Sequence, residues 1–451
     1  MGNFLWQALR AYTDKKRQSA HTPGHGAGQV VPPRLAAAWG EAIFRYDQTE
    51  LPGLDLLAEA DGVLAQSQAE VAACHGAAFA RYLVGGSTAG ILAMCLAFCR
   101  QKTVLVPRHA HHSIRNGLVL ADARAIDLPV DIDPQTGAVL GVSKASLEAA
   151  LAAHPEARVF WHIDPSYDGA RAPEALTAAR AAGLFILTDG AHGAHYGFHP
   201  AYPPPAEGDI RVVSSHKTLP VLTGASLLLG QSPAQAPALD RALQMVQTSS
   251  PSYLMLASLE AAYDWLPRAE AQAQMTEGLA QLAGLRRDLA GTPLAVTVYD
   301  DPLRWTVSAP GLTGLALAER LAAAGLDVEL ANRRTALLLW PLTGPQAGGA
   351  QALKILADQL TPGPDQRPPL APLPLPKVYL APQVALAAPS KLVPLAEAAG
   401  AIAAASLEVT PPAIPLVLPG EKISPAIIEA ALAAGLSSDK LVSVLAHSNR
   451  F

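Results

Sequence analysis

The chain has 451 residues, half of them apolar, with 33 basic and 38 acidic side chains and a formal net charge of -5. That length exceeds the roughly 250 to 300 residues at which a single core stops growing, so at least two domains are expected. The weak, interspersed charge offers no electrostatic footprint for nucleic acid or an anionic membrane, which leaves a small-molecule substrate and copies of the chain itself as the expected partners. Cys74, Cys95 and Cys99 are too few for a disulfide framework, and the last two stand one helical turn apart in an apolar run, as reduced core residues do. The opening MGNFLWQALRAYTDKKRQ turns polar too early for a secretory signal, and no stretch reaches the ~18 uninterrupted apolar residues of a membrane span. A cytoplasmic protein is expected.

Taken in order, residues 1–55 read as an N-terminal arm: a short amphipathic helix with Phe4, Leu5, Leu9 and Tyr12 on one face, a Gly/His/Pro loop over 21–28, and turns ending at Leu51-Pro52-Gly53. Residues 56–285 alternate short apolar runs with Ala/Leu-rich helices, the pattern of an α/β large domain with a doubly wound, mostly parallel sheet. Its strands are expected at 81–84, 103–107, 158–163, 184–188, 210–213 and 225–229, and helices at 89–100, 146–153 and 174–182. Residues 286–451 read as a smaller C-terminal α/β domain, with strands at 294–299 and 336–340 and helices at 314–324 and 349–360. Within it, 361–377 holds seven prolines and few helix formers, so a Pro-rich linker is expected there. The motifs PPAIP at 411–415 and LPGE at 418–421 then fix turns in a last compact piece.

The chemistry concentrates at strand ends. In LFILTDGAHGAH, 184–195, a buried strand delivers Asp189 to the carboxyl edge of the sheet, where open α/β sheets bind their ligands. Farther along, IRVVSSHK delivers Ser214, Ser215, His216 and Lys217 to the same edge. Either Asp189 or Lys217 alone would read as a helix cap or a surface charge. Together they suit pyridoxal 5'-phosphate (PLP): a lysine bonds the aldehyde covalently, and a carboxylate keeps the pyridine nitrogen protonated so that the ring can take up electrons. LVGGSTAG, 83–90, places a glycine turn before a helix, where amides, the helix dipole and the hydroxyls of Ser87 and Thr88 would receive a phosphate. RHAHHS, 108–113, supplies an imidazole able to lie flat on the pyridine ring. A metal site is the competing reading for His109 with His111, His192 with His195, or His21 with His25. No pair has a third ligand, and Pro23-Gly24 breaks the helix that the last pair needs. No metal is expected.

These residues carry a resemblance. HTPGHGAG at 21–28, TELPGLD at 49–55, LVGGSTAGILAM at 83–94, DGAHGAH at 189–195, SSHKTL at 214–219, QTSSPSYLMLASLEAA at 247–262 and PPAIPLVLPGE at 411–421 resemble the Orn/Lys/Arg decarboxylase family, in that family's order and in its short form without a wing domain. The resemblance implies the aspartate-aminotransferase fold, PLP-dependent transferase fold type I, and decarboxylation of lysine, arginine or ornithine to the amine, a step of polyamine biosynthesis. It also implies site roles. Lys217 would carry the cofactor, Asp189 would pair with the pyridine nitrogen, and His111 would stack on the ring. Ser87, Thr88, Ser214 and His216 would hold the phosphate, and His192 would flank the ring. Thr248 and Ser249 would reach the neighbour's cofactor, making a homodimer the smallest working unit, and Glu421 would lie near the substrate entrance. The chain departs from the family's pattern at His112, Gly190, Gly224, Ala401 and Ala413, positions that bear on the substrate more than on the cofactor. Another PLP reaction on an amino acid, such as aldol cleavage or elimination, and a non-catalytic PLP-fold module are the competing functions. Product analysis separates the first, and a cofactor trapped by borohydride on one lysine separates the second.

Overall fold

The computed structural model describes residues 2–15, 18–361, 363, 370, 375–409 and 414–446. It divides into two compact units, Met1–Phe98 with Ile186–Met275, and Cys99–Phe185 with Thr276–Phe451. The strands that matter for the site are β1 (Phe79–Leu83), β2 (Thr103–Pro107), β3 (Arg124–Leu128), β4 (Val159–Ile163), β5 (Phe185–Asp189), β6 (Ile210–Val213) and β7 (Ser226–Gly230).

In the first unit the strand order is β1-β7-β6-β5. β5 and β6 run parallel, whereas β7 is antiparallel to both β6 and β1. Two reversals restore the original sense, so β1, β5 and β6 point the same way and end on one edge, at Leu83, Asp189 and Val213. β6 and β7 are buried at every position, which explains why neither alternates between apolar and polar residues; the one charge in β6, Arg211, is buried and donates to the Ala206 and His75 carbonyls. The Gly86–Phe98 helix packs on β1, β6 and β7. It comes close because Gly90 has no Cβ: one built there would lie 2.6 Å from Leu83 Cδ1 and 3.0 Å from Val212 Cγ2. The N-terminal helix, Phe4–Asp14, buries Leu5 and Leu9 completely, one turn apart. Glu260 on the Tyr253–Trp265 helix accepts hydrogen bonds from the Leu5 and Trp6 amides at 3.0 and 2.8 Å. A carboxylate there satisfies first-turn donors that the helix itself cannot.

The second unit contains β4, β2 and β3 in that order, all parallel. It also holds a four-stranded antiparallel sheet in the order Ala295–Thr297, Arg304–Ser308, Ala336–Leu339, Leu330–Ala331. Two further strand pairs, Ser390–Pro394 with Leu441–Leu445 and Leu407–Val409 with Ile414–Val417, surround a core of Leu395, Val417, Ile423, Ile427 and Val444.

The strands and helices expected from the sequence form within a few residues of the anticipated bounds. β3 was not anticipated: RAIDL mixes charge with short apolar side chains, as an edge strand can, and carries no buried run to mark it. Most of the expected linker at 361–377, and Pro411-Pro412-Ala413, lie outside the described residues. Among the described residues no helix is long and apolar enough to cross a membrane.

Candidate cofactor site

The common edge of β1, β5 and β6 gathers most of the chemistry. β5 ends on Asp189, which is 6 % exposed and whose Oδ1 accepts a 3.0 Å hydrogen bond from the Ala191 amide. Burial pushes this carboxyl above its ordinary range, against the opposing pull of Lys217 and the Ala191 amide. β6 passes into Ser214 and a single helical turn, Ser215–Thr218. Lys217 projects from that turn, its Nζ 2.9 Å from His192 Nε2 in the turn that follows β5. Ser214 is fully buried, and its hydroxyl and that of Thr218 have no hydrogen-bond partner among the described residues. His216 is held over the start of β7, with its amide and ring Nδ1 each 3.1 Å from the Ala225 carbonyl. Burial lowers its pKa, the Ala225 carbonyl opposes this, and Lys217 adds to the lowering.

β1 leads into the Gly86–Phe98 helix, whose first turn carries Ser87 and Thr88, the former half-buried and the latter exposed. First-turn amides have no partner inside a helix, and the dipole there favours an anion. The turn is tied to β7's approach by Gly86 N–H donating to the Gly224 carbonyl at 3.0 Å. Gly224 has φ +94°, and a Cβ there would lie 2.8 Å from the flexible tip of Met255. The departure from the family's pattern at Gly224 is therefore matched by a left-handed backbone that glycine adopts readily.

The topology thus brings Ser87, Thr88, Asp189, His192, Ser214, His216 and Lys217 to one edge of one unit. The donor set suits PLP. An amine is present for the aldehyde, a buried carboxylate for the pyridine nitrogen, and unsatisfied hydroxyls beside an open helix terminus for the phosphate. Thr248 and Ser249 are exposed, in the segment before the Tyr253–Trp265 helix, where Thr248 Oγ1 accepts from the Ser250 amide at 3.2 Å.

His111 belongs to the second unit, as N-cap of the His112–Leu120 helix. Its Nδ1 lies 2.7 Å from Ser113 Oγ and accepts from the Ser113 amide at 3.3 Å, and the His112 ring tilts against it at 3.8 Å between centroids. Neighbouring His109 is driven down to about 3 by burial first and then by Arg115 and His162.

The same unit contains a pair that sequence reasoning did not join. Arg108 donates from Nη1 and Nη2 to the two carboxylate oxygens of Glu421 at 2.7 and 2.8 Å, from Nε to the Pro415 carbonyl at 3.0 Å and from Nη2 to the Leu416 carbonyl at 3.2 Å. Each partner is only 3 % exposed. Glu421, expected near the substrate entrance, is thus fully engaged inside the second unit. The available signal was weak: each residue is a charge at the end of an apolar run, and no local spacing connects them.

Two models of one family match this chain: "Orn/Lys/Arg decarboxylase, major domain" over residues 4–298 and "Orn/Lys/Arg decarboxylase, C-terminal domain" over residues 374–433. The chain belongs to the Orn/Lys/Arg decarboxylase family. It is 31 % identical to the uncharacterized protein YaaO of Bacillus subtilis strain 168, with 94 % of this chain and 92 % of that protein covered. It is 29 % identical to the arginine decarboxylase of the same organism, with 93 % and 91 % covered. The solved constitutive lysine decarboxylase of Escherichia coli superposes with a TM-score of 0.81 at 18 % identity, covering 98 % of this chain and 81 % of that one. As a family member the protein is a PLP-dependent decarboxylase, a lyase, and its mixed α/β architecture with a mostly parallel central sheet is PLP fold type I.

Proposed function

We propose that this decarboxylase acts on a basic amino acid, arginine foremost, and releases the corresponding amine. The observation that carries the reading is the pairing of Lys217 with His192 at 2.9 Å on the strand edge that ends in buried Asp189. The choice of arginine follows the Bacillus subtilis relative named arginine decarboxylase, which aligns over 93 % of the chain.

In this reading Lys217 holds the cofactor covalently and afterwards keeps an amine beside the carbon that loses its carboxylate, where a proton is needed. When bound, PLP supplies an electron sink for the pair left behind by departing carbon dioxide. Asp189 faces the pyridine nitrogen, and a carboxylate shut away from water ionises readily once a cation comes beside it. Ser87, Thr88, Ser214 and His216 hold the phosphate, and His192 keeps Lys217 oriented and flanks the ring. His111 would stack on the ring as the family resemblance implies, its Nδ1 held by Ser113. Thr248 and Ser249 complete the partner's site in a homodimer, and their exposure in the single chain supports this. The arm at 1–55, the large domain at 56–285, the small domain at 286–451 and a cytoplasmic setting belong to the same proposal.

The test is to incubate holoenzyme with arginine, lysine, ornithine and neutral analogues while measuring carbon dioxide and amine. Release of one amine in equal amount to carbon dioxide is expected, fastest with arginine. Turnover of none of the three basic amino acids, or products of aldol cleavage or elimination, would overturn the reading.

A further inference from the structure

Lys217 stands in a helix of only four residues, Ser215–Thr218. A single turn makes too few internal hydrogen bonds to hold its own shape, so whatever aims the lysine must come from outside the turn. Side chains two residues apart on such a turn point to nearly opposite sides. Lys217 reaches His192 on one side, and fully buried Ser215 lies on the other, its Oγ 3.0 Å from the hydroxyl of Tyr263. Tyr263 is itself fully buried. Its ring packs edge-on against His75 at 5.1 Å between centroids and tilts against Phe198 at 5.7 Å.

Tyr263 belongs to the Tyr253–Trp265 helix, which grips the chain on both sides of the lysine. Beyond the turn, the Leu222 amide donates to Ser258 Oγ of the same helix at 3.2 Å. The helix has fixed seats of its own: Glu260 binds the Leu5 and Trp6 amides, and the Tyr253 hydroxyl donates to the Asp55 carbonyl at 2.5 Å. An anchored helix thus holds, before and after Lys217, a turn too short to hold itself. We propose that Tyr263 is a positioning residue for Lys217, its hydroxyl acting through Ser215 to fix the turn that aims the amine. The proposal rests on the reading of Lys217 as the cofactor's lysine and deepens it. A core tyrosine–serine bond can also contribute stability alone. Tyr82 and Ser67, both fully buried in the same unit with their hydroxyl oxygens 2.7 Å apart, provide a matched pair away from the turn.

The test is the rate at which full-length apoprotein captures PLP. The Lys217 amine condenses with the cofactor's aldehyde and releases one water, a step followed by the cofactor's visible band and by borohydride trapping with peptide mapping. A preorganised amine reacts faster than a loosely held one, so Tyr263→Phe should slow capture about 10-fold while reaching the same final occupancy. In the holoenzyme kcat should fall by a similar factor, with KM changing far less. Tyr82→Phe removes an equally buried hydroxyl and should lose similar stability, yet capture PLP at the wild-type rate. Combining Tyr263→Phe with Ser215→Ala leaves no hydroxyl without a partner, so the double variant should regain much of the melting temperature lost by Tyr263→Phe but not its capture rate. A wild-type capture rate in Tyr263→Phe would overturn the proposal, as would capture rates that simply follow melting temperature across the three variants. Trapping of the wild-type cofactor on a lysine other than Lys217 would overturn the reading of Lys217 and the proposal with it.

Discussion

At Asp189 burial and charge oppose each other, and the consequence can be measured. Its carboxyl is raised by burial in the protein alone, so the group favours the folded state when protonated. That contribution is fully present below the ordinary carboxylate range and is lost as pH rises from there through the raised folded value. A bound pyridinium reverses the balance by offering the missing cation. Asp189→Asn should therefore melt higher than wild type as apoprotein at neutral pH, with the advantage disappearing in acid, and should lose the advantage once PLP is bound. Its turnover should fall about 10²- to 10³-fold, the scale of losing one preorganised electrostatic partner. Parallel melting curves from acid to neutral pH, with and without cofactor, decide the first part. Identical pH dependence for the two apoproteins would show that Asp189 is not held in conflict.

Among the elements, the Gly86–Phe98 helix has the narrowest tolerance, because it presents Ser87 and Thr88 while lying directly on the sheet. Gly90→Val would drive methyl groups into Leu83 and Val212, where even a Cβ lies within 3.0 Å of both. Overpacking of this kind costs about 1 to 3 kcal/mol. The variant should show that loss in denaturant titration and bind PLP more weakly, because the helix must lift from the strands that align its first turn. Full stability with full cofactor occupancy would mean that the helix can shift without cost. The strands around it were legible because β5 and β7 are short, largely apolar runs bounded by turn residues, and β6 is such a run interrupted only by Arg211. The direction of β7 was not legible: the residues between β6 and β7 suit a tight reversal or a longer crossover, and only pairing along Val213 to Leu227 and Ile210 to Gly230 settles it.

For the whole molecule, two predictions concern partners distant in the chain or in another subunit. Arg108 and Glu421 are 313 residues apart, yet they form a buried two-bond ion pair. Burial acts to lower the Arg108 pKa, but Glu421 and Asp127 outweigh it and hold the guanidinium above its usual range. Glu421→Gln leaves that cation short of an anion and should cost about 3 to 5 kcal/mol, whereas replacing both residues by Met should cost clearly less than either single change. Chemical denaturation of the two single variants and the double variant checks this. Strictly additive losses would argue against a mutually dependent pair. Across subunits, mixing inactive Lys217→Ala with inactive Ser249→Arg chains should restore activity, at up to one intact site per mixed dimer. Confirmed subunit exchange without recovered turnover would remove Thr248 and Ser249 from the site.

Local order in this chain follows from local pattern. Largely apolar runs mark β2, β5 and β7, the i, i+4 pair Leu5 and Leu9 marks the arm helix, the aspartate ends its strand, and the lysine stands in the turn after the next one. These features need only neighbouring residues, so the amino-acid sequence alone determined them, together with the family they spell out. The tertiary structure alone decided three things. It reversed β7, so that β1, β5 and β6 share one edge. It joined Arg108 to Glu421, and it left Glu50 Oε1 buried with no hydrogen-bond partner among the described residues. The physical reason is common to all three: hydrogen-bond register, ion pairing and burial depend on which distant segments meet, and no periodicity within a segment encodes that meeting.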